Sequence, residues 1–230
     1  MENEEYDISL FKKFEEKGFF ELKTINEMKV PLTNSFLIVP FSKAAKAFIE
    51  CKFPNKQKAF SIYEIKNNKS ILVSEVFLSG DVIILKFCED LSSHIIPSLV
   101  KEIFRNLSVK SVIMLSSVHY RTVNFLDEED VGKLLFYQNQ YSNIAIQNIV
   151  DFQSGSQLED EKAAIFAFCE INKIGCAISV ALSDSIAPSK ECLHILNEIG
   201  KYIKELNGEL HNIENNLKAV RDPGLDSLYS

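Results

Sequence analysis

Leu228-Tyr229-Ser230 are the residues with the most specific chemistry to offer: an aliphatic side chain, a phenol and a carboxylate in succession at the end of the sequence. An aliphatic group fills a pocket, and a phenol packs while its tip hydrogen-bonds. A terminal carboxylate accepts charge-assisted bonds from a lysine or from backbone N–H groups. That combination binds another protein rather than transforming a substrate. Residue types that would carry catalysis are scattered. His94, His119, His194 and His211 form no HExxH and stand beside no cysteine at metal-ligand spacing, so no metal site is expected. The eight glycines make neither GxGxxG nor a phosphate-cradling loop, so no nucleotide cofactor is expected. Ser154-Gly155-Ser156 reads as a turn rather than a nucleophile elbow. Cys169 and Cys176 fall in apolar elements, where desolvation makes a thiol inert. The expectation is a protein with no catalytic residues, no cofactor and no enzymatic activity.

Charge and composition narrow the partners. A net charge of −7 and a pI near 5.2 lack the basic footprint of a nucleic-acid binder. The five cysteines are odd in number and include no CxxC, which fits reduced thiols in the cytoplasm or nucleus. Met1-Glu2-Asn3-Glu4-Glu5 has the wrong sign for a signal or transit peptide, and no apolar run reaches membrane-spanning length. With 230 residues and 46% hydrophobic content the chain can bury a sizeable core, most simply as one domain.

The elements that would carry the tail alternate between strand and helix. Ser35 to Pro40 is a compact apolar run with the mark of a buried strand, and Ser42 is placed to cap a helix over Lys43 to Glu50. Residues 59–65 and 70–78 alternate around Lys66-Asn67-Asn68-Lys69 as a hairpin, and Ser79-Gly80-Asp81 turns the chain into a third strand to Phe87. A helix follows over 92–106 and a buried strand over 109–116. The charged stretch from Arg121 to Asp130 reads as a solvated loop. Leu134 to Tyr137 and Ile144 to Ile146 read as short strands, and 158–171 as an alanine-rich helix stopped by Gly175. Cys176 to Leu182 is a further buried strand. The stripe from Leu193 through Leu196, Ile199, Ile203, Leu206, Leu210, Ile213 and Leu217 to Val220 predicts a long C-terminal amphipathic helix with an interruption near Gly208. Pro223-Gly224 ends it. Three parts result: an N-terminal arm over 1–34, with a short helix around Phe11 and Phe14, an α/β domain over 35–222, and a tail over 223–230.

The helix Lys162 to Glu170 leading through Gly175 into Ala177-Ile178-Ser179-Val180, followed by the long C-terminal stripe and the terminal Leu228-Tyr229-Ser230, resembles the proteasome assembly chaperone family, most of all its first subunit. The resemblance implies a single α/β domain like that of nucleoside phosphorylases without their activity, with a mixed sheet flanked by helices and a flexible tail. It also implies a heterodimer with a second assembly chaperone, and binding to α subunits of the 20S proteasome core. In that family the ending is a hydrophobic-Tyr-X motif that enters a pocket between adjacent α subunits. Leu228 would fill the apolar wall, Tyr229 would pack and hydrogen-bond, and the Ser230 carboxylate would meet a lysine. A second-subunit chaperone and a small-molecule enzyme of phosphorylase-like fold are the rival expectations. Ordering the six residues 225–230 costs at least as much as one aliphatic burial and one charge-assisted bond return, so the folded body must touch the same target.

Overall fold

The computed structural model describes residues 20–24, 32–33, 36–67, 69–88, 91–122, 128–144, 150–151, 158, 160–185 and 187–220. The first elements among the described residues are β1 (Phe20–Thr24), β2 (Leu32–Thr33) and β3 (Phe36–Pro40), the last with all five residues buried. Ser42 then caps α1 (Lys43–Lys52), its hydroxyl accepting from the Ala45 N–H at 3.1 Å. The hairpin β4 (Gln57–Lys66) and β5 (Lys69–Ser79) turns through Asn67 at φ 51°, a left-handed conformation that asparagine tolerates. Gly80 at φ 56° admits β6 (Val82–Phe87). A 3-10 turn leads into α2 (Ile96–Arg105), with Pro97 in the first turn where its missing N–H is harmless. There follow β7 (Leu107–Ser108), β8 (Ser111–His119), β9 (Leu134–Gln138), β10 (Val150–Asp151), α3 (Asp160–Ile171), β11 (Gly175–Ser183), α4 (Lys190–Asn197) and α5 (Ile213–Val220).

Among the described residues nine strands form one mixed sheet in the order β1-β4-β5-β6-β3-β8-β11-β9-β10, with β2 and β7 as a separate parallel pair. The centre, β6-β3-β8-β11, is parallel. The hairpin side and β9 are antiparallel to their inner neighbours. Alternate residues of β3 feed opposite cores: Leu37 and Val39 join α2 and α3 on one face, Ile38 joins α1, α4 and α5 on the other. A strand covered on both faces needs no polar positions, which is why its sequence is an unbroken apolar run. The expected single α/β domain with a mixed sheet between helices is what the chain forms.

Three expectations are corrected. The long C-terminal helix does not exist: its stripe is divided among α4, 3-10 turns at Glu198–Lys201 and Lys204–Leu206, and α5. Leu193, Leu196, Ile199, Ile203, Leu206 and Leu217 are buried as the stripe requires, but on a chain that doubles back. Gly200 makes the reversal: a Cβ there would lie 2.3 Å from the Leu206 carbonyl oxygen, closer than any side chain permits. Gly208 at φ 119° and Asn212 at φ 52° keep the helix from resuming sooner. Gly175 opens β11 instead of stopping α3. That helix ends on Lys173 at φ 57°, with the Ile174 N–H bonding back to the Cys169 carbonyl at 2.9 Å. Phe20–Thr24, placed in the arm, is an edge strand paired antiparallel to β4. At the other edge of the described sheet stands Val150–Asp151; of the strand expected over Ile144 to Ile146 only Ile144 is described, and it is in no strand. Ala145 and Ile146, residues 1–19 and the tail over 223–230 lie outside the described residues.

One ion cluster ties α1 to the hairpin side. The Glu50 carboxylate pairs with Lys56 and Lys86, and both ammonium groups stand over the Phe77 ring, at 5.8 and 5.1 Å. Burial pushes the Glu50 carboxyl up, but the bonds and charges of the two lysines outweigh it and hold it below its ordinary value. A depressed carboxylate contributes stability above its unfolded pKa and loses it as pH falls through the folded one. Replacing Glu50 with alanine strands Lys56, whose side chain is 8% exposed, and is expected to destabilise by about 1–3 kcal/mol at pH 7. The deficit should shrink as pH drops below about 4 in thermal melts. A deficit constant with pH would assign it to packing.

Candidate docking surface

Leu228, Tyr229 and Ser230 lie outside the described residues, so what can be followed is the body to which they are attached. The final described helix, α5, is well fixed. Leu217 is buried, the Cys51 carbonyl accepts from the His211 N–H at 2.9 Å, Asn216 Nδ2 reaches Cys51 Sγ at 3.4 Å, and Lys190 pairs with Glu214 at 2.8 Å. Together these anchor α5, which ends ten residues before Ser230, to α1 and α4.

The described body exposes large apolar side chains at few places, and two of them lie on α3 and on β9 beside it. Ile171 at the end of α3 is 61% exposed and Tyr137 on β9 is 43% exposed, with the Tyr137 ring 5.1 Å from Phe166 of α3. Along α3, Ile165 and Cys169 face the sheet, while Ala163, Phe166, Ala167 and Phe168 remain half-buried. A helix apolar nearly all round is normally covered nearly all round. At the same rim Glu170 Oε1 accepts from Gln140 Nε2 at 2.9 Å, while Glu170 Oε2 is out of solvent with no hydrogen-bond partner. A buried Asn139 sets the position of β9 beside this helix: its Oδ1 accepts from the Cys176 N–H and its Nδ2 donates to the Ile174 carbonyl, both at 2.9 Å. The sequence reading singled out neither Tyr137 nor Ile171, although four consecutive apolar residues in an edge-proximal strand and an all-round apolar helix were signals for both.

The groups that would carry other chemistry are dispersed. Among the described residues no three His, Cys, Asp or Glu side chains gather as metal ligands, and no helix is long and apolar enough to cross a membrane. All five cysteines are unbridged. Burial pushes the Cys51, Cys88 and Cys192 thiols up, and Cys176 is pushed up by its hydrogen bond to Cys169 and by burial, so these thiols stay protonated at neutral pH. Charges flanking the 121–130 stretch pair locally: Arg121 Nε donates to Tyr120 Oη at 2.8 Å, that hydroxyl donates to Glu128 at 3.1 Å, and Lys133 meets Asp130 at 2.7 Å. Ser154-Gly155-Ser156 is outside the described residues.

A three-layer α/β domain with an apolar flank and a fixed C-terminal helix is the frame in which solved structures can be compared. No protein-family model and no curated protein matches the sequence. Solved structures do match by fold. Pyrococcus furiosus PbaA, an archaeal homologue of proteasome-assembly chaperone, aligns with TM-score 0.59 over 86% of this chain and 90% of its own at 11% identity. Pyrococcus furiosus PbaB, an archaeal proteasome activator, aligns with TM-score 0.60 over 93% and 100% at 8% identity. A proteasome-assembly chaperone homologue of Mycobacterium tuberculosis aligns with TM-score 0.52 over 80% and 91% at 12% identity. The chain therefore shares their fold across nearly its whole length.

Proposed function

We propose that this chain is a proteasome assembly chaperone that pairs with a second chaperone subunit of similar fold and binds the α-ring of the 20S core or its precursors. In this reading the Leu228-Tyr229-Ser230 tail enters a pocket between adjacent α subunits: Leu228 fills the apolar wall, Tyr229 packs and hydrogen-bonds, and the Ser230 carboxylate meets a lysine. The supporting observation is the fold shared with solved proteins that are themselves a proteasome activator and proteasome-assembly chaperone homologues. The role is binding without catalysis, in the cytoplasm or nucleus, where unbridged thiols persist. Purified protein mixed with α-ring intermediates is expected to co-sediment with them, and a chain that stays at the top of the gradient at micromolar concentration would sink the assignment.

The α3 flank is the surface proposed for the second subunit. Replacing Ile171 with lysine puts a charge where a partner would bury an aliphatic side chain, at a loss of about 2–3 kcal/mol or more than tenfold in pairing affinity. With Ile171 largely exposed in the single chain, circular dichroism and melting temperature should hardly change. Undiminished pairing would move the interface elsewhere.

A further inference from the structure

We propose that β1 is a self-pairing edge: two copies of this chain join antiparallel along Phe20–Thr24, with Leu22 opposite Leu22, and continue one sheet across a two-fold axis. β1 ends the sheet. Among the described residues its one strand partner is β4, so its outer row of backbone N–H and C=O groups faces no described strand. Such a row is a template for another strand, and natural edges carry prolines, bulges or unmatched charges that prevent pairing. β1 has no proline, and its register with β4 runs through five residues without a bulge. Phe20 and Leu22 pack against the core on one face yet stay half-buried, as the last strand of a layer leaves them.

The charges select the partner. Glu21 and Lys23 share the other face of β1, 3.4 Å apart, with Lys23 Nζ 4.6 Å from the Tyr63 ring centre and Glu21 reached by the Ser70 hydroxyl at 3.4 Å. Their side chains are 43% and 50% exposed, so both remain reachable, and a pair so exposed adds little to the fold. Antiparallel pairing centred on Leu22 sets Glu21 of each copy opposite Lys23 of the other, a square of alternating charge. Shifts that keep the apolar face on its own side move the register by two residues. One such shift sets Glu21 opposite Glu21 and the other sets Lys23 opposite Lys23, and like charges directly opposite are destabilising. The sequence Phe20-Glu21-Leu22-Lys23-Thr24 therefore specifies one register with a copy of itself. Leu22 against Leu22 carries the core face across the axis, and a contact of this isologous kind closes at two copies. Five paired residues a side fall short of the roughly 20–30 of a standard interface, so the dimer is weak and concentration-dependent. β9, beside the α3 flank, lies towards the opposite edge of the sheet, so edge and flank can be occupied at once and the pairing stands apart from the proteasome reading.

Sedimentation velocity on the full chain, from about 1 to about 300 µM in about 0.15 M salt, tests it. The parent is expected to shift from a single chain of 26.1 kDa towards a pair, with a Kd of about 10–300 µM. Glu21→Lys and Lys23→Glu each place like charges opposite one another across the axis, and each should dimerise at least about tenfold more weakly. An equimolar mixture of these two variants should regain the parent's affinity, and so should a chain carrying both substitutions, because each arrangement sets acid opposite base again. Lys66→Glu makes the same charge change on an exposed residue outside β1, and Ile171→Lys alters the α3 flank; both should dimerise as the parent does. Melting temperatures of the β1 variants at about 1 µM should agree with the parent's within about 2 °C, which separates lost pairing from lost folding. A parent that stays a single chain at about 300 µM, β1 variants that dimerise as tightly as the parent, a mixture no tighter than its components, or loss of the dimer in either control overturns the proposal.

Discussion

Appending one residue after Ser230 is expected to lower affinity for α-ring intermediates ten- to hundred-fold, nearly as much as deleting Leu228, Tyr229 and Ser230 together. One added residue shifts the terminal charge by roughly 3.3–3.6 Å, beyond a charge-assisted bond near 2.8 Å. The loss of about 1.5–3 kcal/mol follows from that bond alone. Leu228 and Tyr229 remain in the extended protein, so a tail that bound through hydrophobicity would scarcely notice the change. The comparison is affinity with a C-terminal extension against an N-terminal tag, with the deletion as the lower bound. Neither change alters a residue of the two described hydrophobic cores, so melting curves should superimpose. Equal binding by extended and tagged proteins would rule out recognition of the carboxylate.

Replacing Gly200 with alanine is expected to destabilise the domain by about 2–4 kcal/mol, a fall of about 5–15 °C in melting temperature for a chain of this size. The added carbon would sit 2.3 Å from the Leu206 carbonyl oxygen and 2.9 Å from its carbon. Both are backbone atoms, so no rotamer change relieves the contact and the 200–206 reversal must open. Ile199, Ile203 and Leu206 are all buried in the core beneath α1 and α4, and they would move with it. Calorimetric melting of the variant gives the number directly. An unchanged melting temperature would mean that the reversal opens without disturbing that core.

What the sequence made legible was local. The unbroken run into Pro40, the Ser42 cap, the turn at Asn67 and the turn at Gly80 each follow from a few adjacent residues, and each is found where those residues place it. The C-terminal stripe misled because steps of three and four serve a 3-10 turn as well as an α-helix. The contact that breaks the helix lies between residues six apart in a reversal that periodicity does not encode. β1 was legible in principle, since Phe20 and Leu22 pack on the core while Lys23 points to solvent, the alternation of a half-buried strand. Spacing at Ile8, Phe11 and Phe14 drew the reading towards a helix instead. At the functional level, tail chemistry could be read from three residues, whereas the α3 flank could not be told from core. A Phe166 or an Ile171 carries the same apolar signal whether sheet, partner or water faces it, and only the surrounding layers decide.

The strand order also sets a timetable for synthesis. β3 is among the first strands made, yet its two neighbours in the sheet are β6 and β8, the latter completed only at His119. At a ribosomal rate of about 5–20 residues per second, some 4–16 s separate the emergence of Pro40 from that of His119. For that interval a five-residue apolar strand has no second edge partner, and its flanking helices have only half a sheet to cover. Free strand edges of this composition associate with whatever edge they meet. Domains of this wiring therefore pass through a window in which the nascent chain needs shielding, and translation pauses after residue 40 lengthen it while pauses after residue 119 do not.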